Sequence, residues 1–296
     1  MFDFNEWWSN LKESILGGLY ESLYAMCEEA FEGMFSALND GIAEAGGLLS
    51  QGVTGWNSGA VGQVRVIAET VCIPIAACII TFIFCWELIH LVQDGNAMKA
   101  VSPDQIMFTL LKLGICLLAC SKSFDIVLGL MDVGAEATRK VGNITAGTLG
   151  VAQSFADIMP QKTENFIARD IFELMGNLLL LKFAKGITKV IGVILVLRVN
   201  MWFIEFLIFA MPAALPFATY PNKEWSQIGS NYIRKMLAKS FEGFFMMAAF
   251  VLYGFVVNNL SGDFTTELIK AIGCGGVLVL LLFKAGQISS SVFNAH

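Results

Sequence analysis

"TVCIPIAACIITFIFCWELIHLV", residues 70–92, decides the fold. Its only Asp, Glu, Lys or Arg is Glu87. About 20 apolar residues in a helix cross the ~30 Å hydrocarbon core of a bilayer. Pro74 falls in the first turn, where a missing amide hydrogen costs nothing. The whole chain agrees with this segment: 56% of its residues are hydrophobic and 15% are charged, against roughly 25% charged in soluble domains. A polytopic, all-α membrane protein is therefore expected. No Lys or Arg follows Met1 closely, so a cleaved signal peptide is not expected.

Moving outward, four more spans are read: a weaker one from Ile106 to near Met131, then about 197–218, 240–260 and 267–286. Before the first span, Trp7, Leu11, Ile15, Leu19 and Leu23 repeat at near-helical spacing, followed by Cys27, Phe31, Met34, Leu38 and Ile42. These predict two amphipathic helices, neither with an apolar run long enough to cross. Six glycines in residues 46–62 then read as a flexible connection. The expected organisation is residues 1–65, external amphipathic helices and a glycine-rich link; 66–131, the first two spans; 132–172, an external loop containing an Asn143-Ile144-Thr145 sequon; and 173–296, a lysine-striped helix and three C-terminal spans.

Charge is unevenly distributed. Residues 1–69 hold ten acidic and two basic groups, the remainder fifteen and seventeen. The most basic short connection is 219–239, with Lys223, Arg234, Lys235 and Lys239. Short basic loops stay on the cytoplasmic side. This places the N-terminus outside and the C-terminus in the cytoplasm of a five-span chain. The count depends on residues 173–196, which carry Lys182, Lys185 and Lys189. At 100° per residue the three lie on one stripe, and exposing them to lipid would cost about 8–10 kcal/mol. The stripe must face water, protein or headgroups. If this stretch crosses by itself, there are six spans and the N-terminus moves inside.

Motifs for nucleotide, serine-hydrolase or zinc chemistry are missing, and the chain has two histidines, His90 and His296. No enzyme activity, metal or cofactor is expected. The seven cysteines lie mostly within apolar runs and form no CxxC or Cys/His cluster, which is the pattern of packing residues. What remains is a set of ionisable groups in or beside the spans. Glu87 and His90, one turn apart, either reach the interface or form a polar site within an assembly. Lys122 and Asp125 have the spacing of a pair on one helix face. Arg198 and Glu205 are seven apart on one face: an intramembrane pair, an outward-reaching arginine, or the lining of an aqueous path. The lysine stripe is a headgroup contact, a basic lining for polyanions, or a contact between subunits.

From 187 onward, a long apolar span with an arginine runs into "FAMPAALPFATYP" and then "NKEWSQIGSNYIRKMLAKSFEGFFMMAAFVLYGFVV", with a final pair of spans. This series resembles the TrbL-type polytopic subunit of conjugative type IV secretion systems, in the version found on mobile elements of Gram-positive bacteria. The likeness is clearest over 187–260. The resemblance implies a cell-membrane subunit of a DNA-transfer channel with an outside N-terminus. It also implies assembly with itself and other channel subunits, cooperation with cytoplasmic ATPases, and passage of single-stranded DNA with an attached relaxase. The competing classes are a stand-alone secondary transporter or ion channel, against which the absence of an internal repeat argues, and a membrane-lytic protein, against which chain length and intramembrane charge argue.

Overall fold

The computed structural model describes residues 4–95, 103–144, 168–257 and 264–295, and these are all-α. Helix α1 runs Phe4–Trp56 and α2 Ser58–Ile67; a π-helical turn, Ala68–Cys72, leads into α3, Ile73–Gly95. Then come α4 (Pro103–Ser121), α5 (Ser123–Ile144), α6 (Ala168–Ala210), the short α7 (Ala214–Ala218), α8 (Ser226–Val257) and α9 (Phe264–Val292). Among the described residues, four stretches are long and apolar enough to cross a membrane: Ser58–His90, Ile171–Ala218, Ser226–Val257 and Phe264–Val292. The pair Ile106–Ser121 and Ser123–Ile144, bent by 65°, makes a fifth if it crosses as one.

The chain divides into two compact units. One comprises the described parts of Met1–Gly46, Thr145–Leu197 and Ala249–Leu281. In it, α1 and α6 lie side by side and run in the same direction: Cys27 Sγ donates to the Leu174 carbonyl, Lys185 lies over Gly33, and Gly41 meets Gly192. A Cβ at Gly41 would lie 2.4 Å from the Gly192 Cα, so only glycine permits this approach. Burial pushes the Cys27 thiol up to about 11.

The other unit comprises Gly47–Ile144, Arg198–Ala248 and Leu282–His296. Pro212, Pro216 and Pro221 lack amide hydrogens, and the chain beyond α6 breaks into α7 and turns. That segment packs antiparallel to α4. Lys112 Nζ, Cys116 Sγ and Cys120 Sγ, one turn apart, donate to the carbonyls of Pro221, Phe217 and Ala214. Helices α5 and α8 touch at Gly134, where a Cβ would meet the Ser240 carbonyl oxygen at 2.1 Å.

Several expectations change. The glycine-rich stretch 46–62 is helical apart from a kink at Gly52 (φ 69°) and a cap at Asn57, whose side chain accepts from the Ala60 amide at 2.9 Å. The reason is burial. The apolar stripe of Cys27, Phe31, Met34, Leu38 and Ile42 continues through Ala45, Leu49 and Val53, all at most 2% exposed. Such packing outweighs a glycine cost of about 1 kcal/mol per residue. The two amphipathic helices are accordingly one. The second span is not straight: it breaks at Lys122, where Asp125 at the start of α5 is held by Arg65 at 2.7 Å. The 132–172 loop is shorter than expected, since α5 extends to Ile144 and α6 starts at Ala168. Residues 145–167, including Thr145 of the sequon, and the connections 96–102 and 258–263 lie outside the described residues. The six-span alternative requires the chain to reverse near residue 196. Instead α6 is unbroken over 43 residues, about 64 Å at 1.5 Å per residue, so the lysine-bearing stretch and the following span are one element. Finally, residues 226–239 of the basic connection are helical, which reduces the turn to 219–225.

Gly41→Ala and Gly134→Ala should each destabilise the detergent-solubilised protein by about 1–3 kcal/mol through overpacking. Gly276→Ala, with nothing within 4 Å, should be neutral or slightly stabilising. Denaturation midpoints of the three variants provide the comparison.

Candidate functional site

Arg198 is the most deeply placed basic group described. It lies on α6, 5% exposed, among Leu195, Val199 and Trp202. Its guanidinium pairs with Glu242 of α8, whose side chain is 1% exposed, and lies over the Phe283 ring, 5.5 Å from the centroid. Glu242 also faces Lys239 at 2.7 Å, and Lys239 bonds Glu205 on α6. Two cations and two carboxylates thus form one neutral chain.

Local sequence explains the geometry. Arg198 and Glu205 are seven residues apart, about 10.5 Å along a helix axis, too far to touch. Lys239 and Glu242, three apart on antiparallel α8, close the gap. Small residues let the helices approach. A Cβ at Gly243 would meet Trp202 at 2.8 Å, and one at Gly286 would meet Glu242 Oε1 at 3.1 Å. Trp202 Nε1 donates to the Lys239 carbonyl at 2.9 Å, and Ser289 Oγ to that of Ala238. A cavity of about 320 Å³ opens beside the network, lined by Lys235, Lys239, Glu242 and Ser290.

The expected sites are thereby rearranged. Arg198 and Glu205 do not pair with each other; each takes its partner from α8. Lys239, assigned by sequence to a cytoplasmic loop, is a network member in α8, 16% exposed. Lys223, Arg234 and Lys235 remain exposed. The lysine stripe also divides. Lys185 and Lys189 line a groove of about 610 Å³ with Ser36, Asp40 and Glu44 of α1, whereas Lys182 lines a shallow hollow beside Phe183, Ile187 and Val190. With two carboxylates facing two ammonium groups, that groove offers no net attraction to a polyanion.

Glu87 and His90 do not converge. Glu87 Oε1 accepts from Asn222 Nδ2 at 3.1 Å, while His90 is exposed and stands edge-on to Trp86. Asn222 is buried and also accepts from the amides of Glu224 and Trp225, which fixes the turn. In that turn the Tyr220 phenol is raised by burial, partly offset by a hydrogen bond with Ser230. Lys122 and Asp125 stand 3.7 Å apart, and Asp125 is held more closely by Arg65. Sequence reasoning missed Glu242, Arg65 and Asn222. For Glu242 the signal was its three-residue spacing from Lys239. The contacts of Arg65 with Asp125 and of Asn222 with Glu87 carry no local signal, because those partners are 60 and 135 residues away. No group of His, Cys, Asp and Glu able to hold a metal occurs among the described residues.

Residues 38–214, more than half of the chain, match the family described as TrbL/VirB6 plasmid conjugal transfer like protein. No curated protein and no solved structure matches.

Removing one buried partner leaves the other uncompensated, a loss of about 3–5 kcal/mol. Arg198→Met and Glu242→Gln should each show it. The double variant should lose much less than the two losses added, as read from a double-mutant cycle of unfolding free energies.

Proposed function

The chain belongs to the TrbL/VirB6-like family of plasmid conjugal transfer proteins, and on that premise we propose that it is a structural channel subunit of a conjugative type IV secretion system. It is a multi-pass membrane protein of the conjugal transfer apparatus. In the proposed role several copies assemble with other channel subunits, and single-stranded DNA with its relaxase is moved by cytoplasmic ATPases. The part of this chain is scaffold and conduit rather than catalyst.

The family match carries this reading. Of the exposed cations, Lys223 lies in the turn that separates two candidate spans, and Arg234 and Lys235 lie in the first third of α8, which follows it. We assign this turn to the cytoplasm, with the N-terminus outside. Two contacts support one face for the ends that should share it. Glu87, near the end of the first span, touches Asn222, and Lys112 of α4 touches Pro221. Counting spans from that face puts residues 145–167 and 258–263 on the opposite side and the C-terminus in the cytoplasm. Lys223 together with Arg234 and Lys235 of α8 there suits an acidic patch on an ATPase or the DNA itself, and either contact weakens with salt.

Reversing the charge of Lys223, Arg234 and Lys235 together should lower transfer frequency at least about tenfold, since three lost contacts of ~1 kcal/mol each exceed that factor. The amount of protein in the membrane should not change. Normal mating frequency with normal insertion would remove the docking role. Neutralising Lys185 and Lys189 should leave transfer unchanged, because their groove carries no net charge.

A further inference from the structure

A second polar feature, separate from the buried network, lies where α3 and α4 meet the turn after α7. It is a cleft of about 400 Å³ whose walls include Glu87, Asp104, Lys112 and Lys223, together with Ile83 and Phe108. Its charges are balanced, two carboxylates and two ammonium groups. Glu87 uses one oxygen on Asn222, and Lys112 one hydrogen on the Pro221 carbonyl. A carboxylate accepts more than one bond and an ammonium donates three, so both retain capacity toward the cleft. Asp104 and Lys223 are exposed at its mouth.

The depth of the cleft is marked independently. Trp86 and Trp225 are each about two-fifths exposed (43% and 41%) and both stack with Phe82, at 6.4 and 6.0 Å. Half-exposed tryptophans sit at the headgroup level of a bilayer, and Trp86 and Trp225 adjoin Glu87 and Glu224 in sequence. From the cleft an apolar track continues along α4. Phe108, Leu111, Ile115 and Leu118 fall on one helix face at helical spacing and are 60–69% exposed.

We propose that this cleft binds an aminophospholipid, a glycerophospholipid whose head carries both a phosphate and a primary amine. The phosphate faces Lys112 and Lys223, the ammonium faces Glu87 and Asp104, and an acyl chain lies along Phe108, Leu111, Ile115 and Leu118. A head that is anionic only would satisfy the lysines but leave two carboxylates beside its phosphate. A soluble zwitterion would leave the apolar track unused. The site depends on the membrane-spanning architecture and not on the transfer role.

The full-length protein, stripped of lipid in detergent, would be titrated with dioleoylphosphatidylethanolamine, dioleoylphosphatidylglycerol and soluble phosphoethanolamine, and bound ligand counted by native mass spectrometry. The ethanolamine lipid should bind at least about fivefold more tightly than the glycerol lipid, the scale of one well-formed ion pair. Phosphoethanolamine alone should bind far more weakly. Asp104→Asn, an exposed change, and Glu87→Gln, which keeps an acceptor for Asn222, should each reduce the preference. Lys223→Gln should weaken both lipids. Equal affinity for the two lipids, tighter binding of the glycerol lipid, or a preference unchanged in Asp104→Asn would overturn the proposal.

Discussion

An arginine placed among leucine, valine and phenylalanine requires a counter-charge. At a helix centre an unpaired Arg costs about 2.5–3.5 kcal/mol even by lenient insertion scales, and burial away from water costs more. Arg198 meets this demand with Glu242 of α8, and Lys239 extends the chain to Glu205. The pairing sets the antiparallel register of α6 against α8. It also explains which residues surround it: Gly243 makes room for Trp202, and Gly286 makes room for the Glu242 carboxylate. A side chain at Gly243 would collide with the Trp202 ring, and one at Gly286 would crowd the Glu242 carboxylate.

The same electrostatics separates paired charges from free ones. Arg65 is tied to Asp125, and Glu87 to Asn222. Exposed cations remain at Lys223, Arg234 and Lys235, beyond the buried Thr219, Pro221 and Asn222 of the turn. This division gives the proposed channel subunit two kinds of polar surface. One is neutral and internal, holding helices together. The other is cationic and terminal, available to partners. In the proposed role the ion pairs within the span region serve architecture, and Lys223, Arg234 and Lys235 are where specificity toward polyanions would arise.

Much of this was legible in the residues. Residues 70–92 specify a span because no charge interrupts them before Glu87, and the face of Cys27, Phe31, Met34, Leu38 and Ile42 is buried as its spacing implies. The glycine-rich stretch misled because helix propensity is local, whereas Leu49, Val53 and Trp56 are held by distant groups; Trp56 Nε1, for example, donates to Asn200 at 2.7 Å. Lys239 misled because a cation next to a basic turn looks like part of it until the opposing carboxylates are known. Lys122 sits at a break that hydropathy alone smooths over. The family reading is correct, yet its match covers residues 38–214, while the motif that carried the resemblance continues past 214. The two descriptions meet in the C-terminal half of α6.

The central physical claim is that the exposed cations after α7 face the cytosol. A single reporter tests it: Arg234→Cys, at an exposed position, with Cys78, Cys85 and Cys274, the cysteines that are not buried, replaced by alanine, treated with a membrane-impermeant maleimide. A cytosolic location of the cations after α7 leaves position 234 unlabelled in intact cells and labels it once the membrane is permeabilised. Labelling in intact cells would contradict the orientation and the partner assignments that depend on it.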